Sequence, residues 1–197
     1  MMGVMDYDDR TALIVVDVQN DFADWEGALY VKGGEGIIEV INCEVDRAVS
    51  AGALVVYTQD WHNEVTPHFA AHGGTWPVHC VQGTWGAALH PDLGVKGPSV
   101  RKGMGDDDGY SGFSEHNLAS GGVDQTPLAT MLREHGVDKV VIGGLATDYC
   151  VRATALDAAA KGFSVTVLQD AIRPVNLEPE DDALALRAMQ EAGVATA

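Results

Sequence analysis

Ala12 to Val18 (ALIVVDV) is a short, continuous, β-branched apolar run, which predicts a strand covered on both faces, as in a parallel sheet. It breaks at polar Asp17, Gln19 and Asn20. Ile37, Ile38, Ile41, Val45, Ala48 and Val49 then recur at helical spacing, with Gly52 as the stop, and Leu54 to Thr58 (LVVYT) reads as a second strand. Ser99 to Lys102 is a further short strand. Thr126 and Pro127 form a cap and first-turn pair opening a helix to about His135. Lys139 to Ile142 is the next strand, Asp148 to Lys161 a helix closed by Gly162, Val165 to Leu168 another strand, and Pro179 to Glu191 a last helix with an acidic first turn.

Strands and helices alternate throughout, with no internal repeat and no linker. The expectation is one domain over residues 1–197, with the α/β doubly wound architecture: a central parallel sheet between two helical layers. Ligands of such sheets bind beyond the carboxyl ends of the strands. Asp17, Asp60, Lys102 and the Gly143 to Cys150 segment each fall at or just after the end of a predicted strand, so they converge on one edge. From Gln59 to about Ser99 the periodicity vanishes and His, Trp, Gly and Pro accumulate. An ordered loop of that length is usually functional. Gly103 to Gly112 is a second, glycine-rich loop.

The 197 residues carry a net charge of −17, from 29 acidic against 12 basic side chains. That balance repels phosphate backbones and anionic lipid headgroups, so neither nucleic acid nor a membrane is an expected partner. The acid runs at Asp106 to Asp108 and Glu178 to Asp182 read as solvated surface. Three cysteines, Cys43, Cys80 and Cys150, suggest free thiols in a reducing compartment. The opening MMGVMDYDDR has no basic region followed by an apolar stretch, and no segment is apolar enough to span a bilayer, so the expected location is cytoplasmic.

Gly143 to Val151 (GGLATDYCV) runs from a strand into a helix and places Cys150 in the predicted first turn. A helix N-terminus or a nearby cation lowers a thiol pKa, so position alone is expected to activate this sulfur. Backbone N–H groups between Ala146 and Cys150 lack helical acceptors and can face an oxyanion, where each donor is worth about 3 kcal/mol. The alternative is a buried structural cysteine, a role this residue type often takes. Asp17, at the end of an apolar strand, needs a partner or a task; taken alone it is a turn aspartate, and Lys102 alone is a surface lysine. Asp60 and His62, followed by His68 and His79, form a plausible ligand set for zinc, iron or manganese. The spacing leaves His72 and Cys80 as competing ligands, and solvated loop histidines as the plain alternative.

At these residues the chain resembles the nicotinamidase branch of the isochorismatase-like cysteine hydrolases. The resemblance runs through IVVDVQNDF (14–22), QDWH (59–62), the PHF carrying His68, WPVHCVQGT (76–84), Lys102, YSGF (110–113) and GLATDYCV (144–151). It implies the isochorismatase-like hydrolase fold and hydrolysis of nicotinamide to nicotinate and ammonia in NAD salvage. It implies a catalytic triad of Asp17, Lys102 and Cys150, an oxyanion hole from the Ala146 and Cys150 amides, and a cis peptide between Leu145 and Ala146. Asp60, His62, His68 and His79 would hold one divalent ion, zinc ahead of iron or manganese. Phe22, Trp76 and Tyr110 would wall the substrate pocket; each taken singly reads as core packing. The chain departs from the family's pattern in two places. An acidic triplet and one extra residue follow Lys102, and Tyr149 stands where histidine is common. Neither the resemblance nor the composition decides the oligomeric state, a homo-oligomer included.

Overall fold

The computed structural model describes residues 5–105, 107–117 and 120–197. Its centre is a six-stranded sheet, all parallel, in the order β3-β2-β1-β7-β8-β9. The strands are β1 (Thr11–Val16), β2 (Leu54–Asp60), β3 (Ser99–Lys102), β7 (Lys139–Leu145), β8 (Ser164–Arg173) and β9 (Ala195–Thr196). A separate antiparallel sheet joins β4 (Asp107–Asp108), β5 (Ser114–Asn117) and β6 (Val123–Gln125). The helices are α1 (Asn20–Ala23), α2 (Ile38–Ser50), α3 (Leu128–Glu134), α4 (Arg152–Ala160) and α5 (Asp181–Glu191).

Successive side chains of a strand point to opposite faces, and β1 shows what that does here. Leu13 and Val15 join Ile38, Ile41 and Val45 of α2 in one apolar cluster. Ala12, Ile14 and Val16 join Leu128 and Leu132 of α3, Ala155 and Ala158 of α4 and Met189 of α5 in the other. Every residue of β1 is buried, so the continuous apolar run is the signature of a central strand in a three-layer α/β fold. No helix among the described residues is long and apolar enough to cross a membrane.

The chain lays strands outward from β1 through β2 to β3, returns to place β7 on the other side of β1, and continues to β8 and β9. The direction therefore reverses between β1 and β7, and the crevice beyond their carboxyl ends is where such a sheet binds ligands. The two strands pair closely up to Val16 against Gly144. A Cβ on Gly144, at φ +130°, would lie 2.0 Å from the Val16 carbonyl oxygen, so only glycine fits there.

Several boundaries differ from the sequence expectation. β1 ends at Val16 because Asp17 turns to φ +49°. β8 extends to Arg173, its second half pairing with Gly144 and Leu145 after a register shift. α3 starts at Leu128, where the Thr126 hydroxyl accepts the Leu128 N–H at 3.2 Å. The expected helix from Asp148 opens instead as a wide turn over Thr147–Val151, closed by the Val151 N–H on the Ala146 carbonyl at 3.1 Å, before α4 begins. Of the acidic triplet, Asp107 and Asp108 form β4, and Asp106 lies outside the described residues.

Candidate active site

The ends of β1, β2, β3 and β7 bring Asp17, Asp60, Lys102 and Cys150 into one buried cluster. Lys102 is fully buried, its ammonium 2.9 Å from Asp17 Oδ2, in an ion pair with Asp60 Oδ1, and 3.5 Å from Cys150 Sγ. Donor atoms of Asp17, Asp60 and Cys150 lie within 4.8 Å of one another. The Thr58 hydroxyl donates to Asp17 Oδ1 at 2.6 Å and fixes the carboxylate plane, leaving Oδ2 without a well-aligned hydrogen bond beside the lysine and the sulfur.

Burial dominates the electrostatics. It raises the Asp17 carboxyl above its ordinary 3.8, with Lys102 opposing and Asp60 adding to the shift. Burial also opposes the Asp60 charge, but the Lys102 ammonium and the neighbouring imidazoles outweigh it and hold that carboxylate well below the usual range. Lys102 is pushed well above its ordinary value, because Asp17 and Asp60 overcome the cost of burying it. The Cys150 thiol is also pushed well above its ordinary value, by burial first and then by the two carboxylates, with Lys102 pulling the other way. This corrects the expectation that a helix start alone activates the sulfur. The shift favours the thiol form and calls for a partner to take its proton.

A second cluster adjoins the first through Asp60. His62, His68 and His79 present ring nitrogens within 4.8 Å of one another. His62 Nδ1 lies 3.1 Å from the Gly103 carbonyl and His79 Nδ1 2.7 Å from that of Pro77. Each carbonyl selects the tautomer with the proton on Nδ1, which leaves Nε2 with a lone pair. His62 Nε2 is buried without a hydrogen-bond partner and lies 3.8 Å from Asp60 Oδ2. Two ligands of one tetrahedral ion at about 2.1 Å stand about 3.4 Å apart, close to that spacing. Burial, reinforced by the other two imidazoles against the pull of Asp60, lowers His79 to about 4, so it is neutral and ligand-ready at neutral pH. The donor set therefore fits a divalent cation. His72 is exposed at the end of a short turn, outside this cluster. Cys80 directs its sulfur toward the Gly86 carbonyl at 3.9 Å, and its N–H is held by Asp21 Oδ2 at 2.6 Å.

Asp60, His68, His79 and Cys150 border a cleft that is partly open to solvent. Phe22 and Trp76 line it together with Tyr110, Ala146 and Cys150. The Trp76 indole donates to the Tyr110 hydroxyl at 2.9 Å. Tyr149 joins this wall, edge-on to Trp76 with ring centroids 4.9 Å apart and tilted against Tyr110 at 5.5 Å. The Leu145–Ala146 peptide is cis. Within the wide turn the Tyr149 N–H is bonded to the Ala146 carbonyl at 3.1 Å, so that donor is spent inside the chain.

Two further residues to which the sequence reading gave no role complete the site. Gln19 clamps Asp60 on both sides, donating to its carbonyl at 2.7 Å and accepting its N–H at 2.8 Å. Asp148 turns its carboxylate onto the N–H groups of Val175 and Asn176, at 3.0 and 2.8 Å, and so ties the nucleophile's turn to the pocket wall at Val175. The signal available for both was a polar residue inside or beside an apolar run, where an unpaired group is costly.

Residues 11–197 match the isochorismatase domain family. The chain is 38% identical over 200 residues to a nicotinamidase of Escherichia coli, covering 92% of each protein. Among solved structures it resembles a pyrazinamidase of Pyrococcus horikoshii in complex with zinc, at 43% identity and a TM-score of 0.85, covering 95% of this chain and 98% of the other. It likewise resembles PnC1 of L. infantum in complex with nicotinate, at 38% identity and a TM-score of 0.88, covering 98% and 95%. With the fold, the cysteine cluster and the histidine cluster already in place, these likenesses establish that the chain belongs to the isochorismatase family.

Proposed function

We propose that this protein is a nicotinamidase, hydrolysing nicotinamide to nicotinate and ammonia through a thioester on Cys150. One observation carries the reading: the Cys150 thiol, beside Asp17 and the buried Lys102 ammonium, opens on an aromatic-walled cleft that Asp60, His68 and His79 also border. The nicotinamidase of Escherichia coli and the nicotinate-bound relative support the substrate. A flat heteroaromatic amide suits a slot walled by Phe22, Trp76 and Tyr110, with its carboxamide toward Cys150.

Asp17 is the general base in this account. Its raised pKa matches it to a thiol whose own proton is held tightly, its carboxylate stands within 4.8 Å of the sulfur, and Oδ2 has no well-aligned hydrogen-bond partner. As Asp17 takes the proton, the thiolate attacks the carboxamide carbon, and Lys102 balances the charge that moves between sulfur and carboxylate. The Ala146 and Cys150 amides hold the oxyanion. Asp17 returns its proton to the departing amine, and ammonia leaves as the thioester forms. A water then gives a proton to Asp17 and its hydroxyl to the thioester carbon; the carbon–sulfur bond breaks, Asp17 returns the proton to the sulfur, and the pyridine acid leaves and ionises to nicotinate.

Asp60, His62, His68 and His79 would hold one divalent cation, zinc first, as in the zinc-bound relative. Held there, it would supply a Lewis acid for the ring nitrogen, and Phe22, Trp76 and Tyr110 would keep the ring in the slot. The three free cysteines suit a reducing, cytoplasmic setting, where the product ring re-enters NAD salvage.

Ammonia release across a panel of amides tests the assignment. Nicotinamide is expected to be the preferred substrate over N-carbamoyl and ureido compounds, with activity lost on chelation and regained on adding zinc. Preference for a ureido substrate, or full activity in chelator, would overturn it.

A further inference from the structure

Gly103 follows Lys102 at the end of β3 and turns at φ +72°. It sits against the His62 ring, where an added Cβ would lie 2.5 Å from Cε1. Its carbonyl is the partner of His62 Nδ1 at 3.1 Å, so the direction of this one peptide decides which His62 nitrogen faces the histidine cluster. Gly103 and Gly105 carry no side chain and Met104 is exposed, so these residues have little apolar packing of their own to hold that direction.

The hold comes from outside the main sheet. Gly103 donates its N–H to the half-buried carboxylate of Glu115, and Met104 gives Glu115 a second backbone hydrogen bond. Glu115 lies on β5, paired with Asp124 of β6. Its neighbour Ser114, on the opposite face of the strand, donates to Asp157 of α4 at 2.6 Å, and Thr126 at the end of β6 donates to the Gly112 carbonyl at 2.6 Å. The small sheet is thus pinned to the molecule on one face and presents Glu115 on the other.

We infer that Glu115 is a positioning residue for the metal cluster: through Gly103 it sets the tautomer and aim of His62, although it touches neither ion nor substrate. The inference rests on the metal reading above. Groups that orient a ligating histidine commonly change metal affinity by about 10- to 100-fold when removed.

The test is zinc titration of the metal-free protein against a chelating indicator, with Tm of the same metal-free samples as the control on folding. Glu115→Ala is expected to weaken zinc binding by about tenfold or more, and Glu115→Gln, which keeps one acceptor, to fall between it and the parent. His116→Ala, an exposed change on the other face of the same strand, is expected to leave affinity unchanged. A loss below about tenfold in Glu115→Ala, a Gln variant as weak as the Ala variant, or an equal loss in His116→Ala would overturn the inference. A parent protein that takes up no zinc would instead overturn the metal reading on which it stands.

Discussion

At the scale of single residues, the chemistry depends on Asp17 and Cys150 sharing one proton in a place where neither holds a charge easily. Both are buried and both are shifted upward. Lys102 is what makes a thiolate affordable there, and Asp60 keeps Lys102 charged. The base is lost when Asp17 is protonated, and its pKa is raised, so kcat/KM falls with decreasing pH at a higher pH than an ordinary aspartate near 3.8 would give. Asp17→Asn removes the acceptor without changing size and is expected to lower kcat by about 10²- to 10⁴-fold while zinc content stays at parent level. Steady-state rates across pH, with metal analysis of the same samples, check both parts. An unshifted acid limb in the parent, or an Asn variant within tenfold of it, would remove Asp17 from the role.

At the scale of elements, the site is a set of strand ends, each with its own stop. Asp148 is the residue that locks two of them, since its carboxylate satisfies Val175 and Asn176 after β8 while its backbone shapes the turn after β7. Asp148→Ala leaves two backbone donors unpaired beside the pocket and is expected to destabilise the fold by about 2–4 kcal/mol, read as a drop in denaturation midpoint. A change within about 0.5 kcal/mol would show that water replaces the carboxylate. The central strands were legible because they are buried on both faces: runs such as ALIVV and KVVI have no polar alternation to confuse them, whereas the two-residue edge strand β9 has no such run. The β4–β6 sheet was not, because SEHN and VDQ show no apolar period and pair only through backbone. That is also why Glu115 went unnoticed. The wide turn at Thr147–Val151 has the sequence signature of plain helix, since residue spacing does not distinguish a bond to the fourth residue back from one to the fifth. Long-range partners such as Thr58 for Asp17, or Gln19 for Asp60, follow from the β1–β2 register and have no local signature.

For the whole molecule, the net charge of −17 and the buried cluster act on different properties. The surface charge repels itself, so raising salt from about 0.01 M to about 0.1 M, which shortens the Debye length from about 30 Å to about 10 Å, is expected to raise Tm. The ion pairs of Lys102 are fully buried and escape that screening, so kcat is expected to stay level over the same range. A Tm that falls with salt would contradict net surface repulsion, and a kcat that falls over the same range would place the charges decisive for catalysis at the surface. The doubly wound sheet explains why one crevice gathers residues from positions 17 to 150 of the chain, and the central claim is that this crevice breaks an amide through Cys150. The most direct measurement is ammonia and nicotinate release from nicotinamide by the purified zinc-loaded protein and by Cys150→Ala. The account predicts equal amounts of both products from the parent and none from the variant, with zinc content and Tm unchanged between them. Turnover by Cys150→Ala would contradict it.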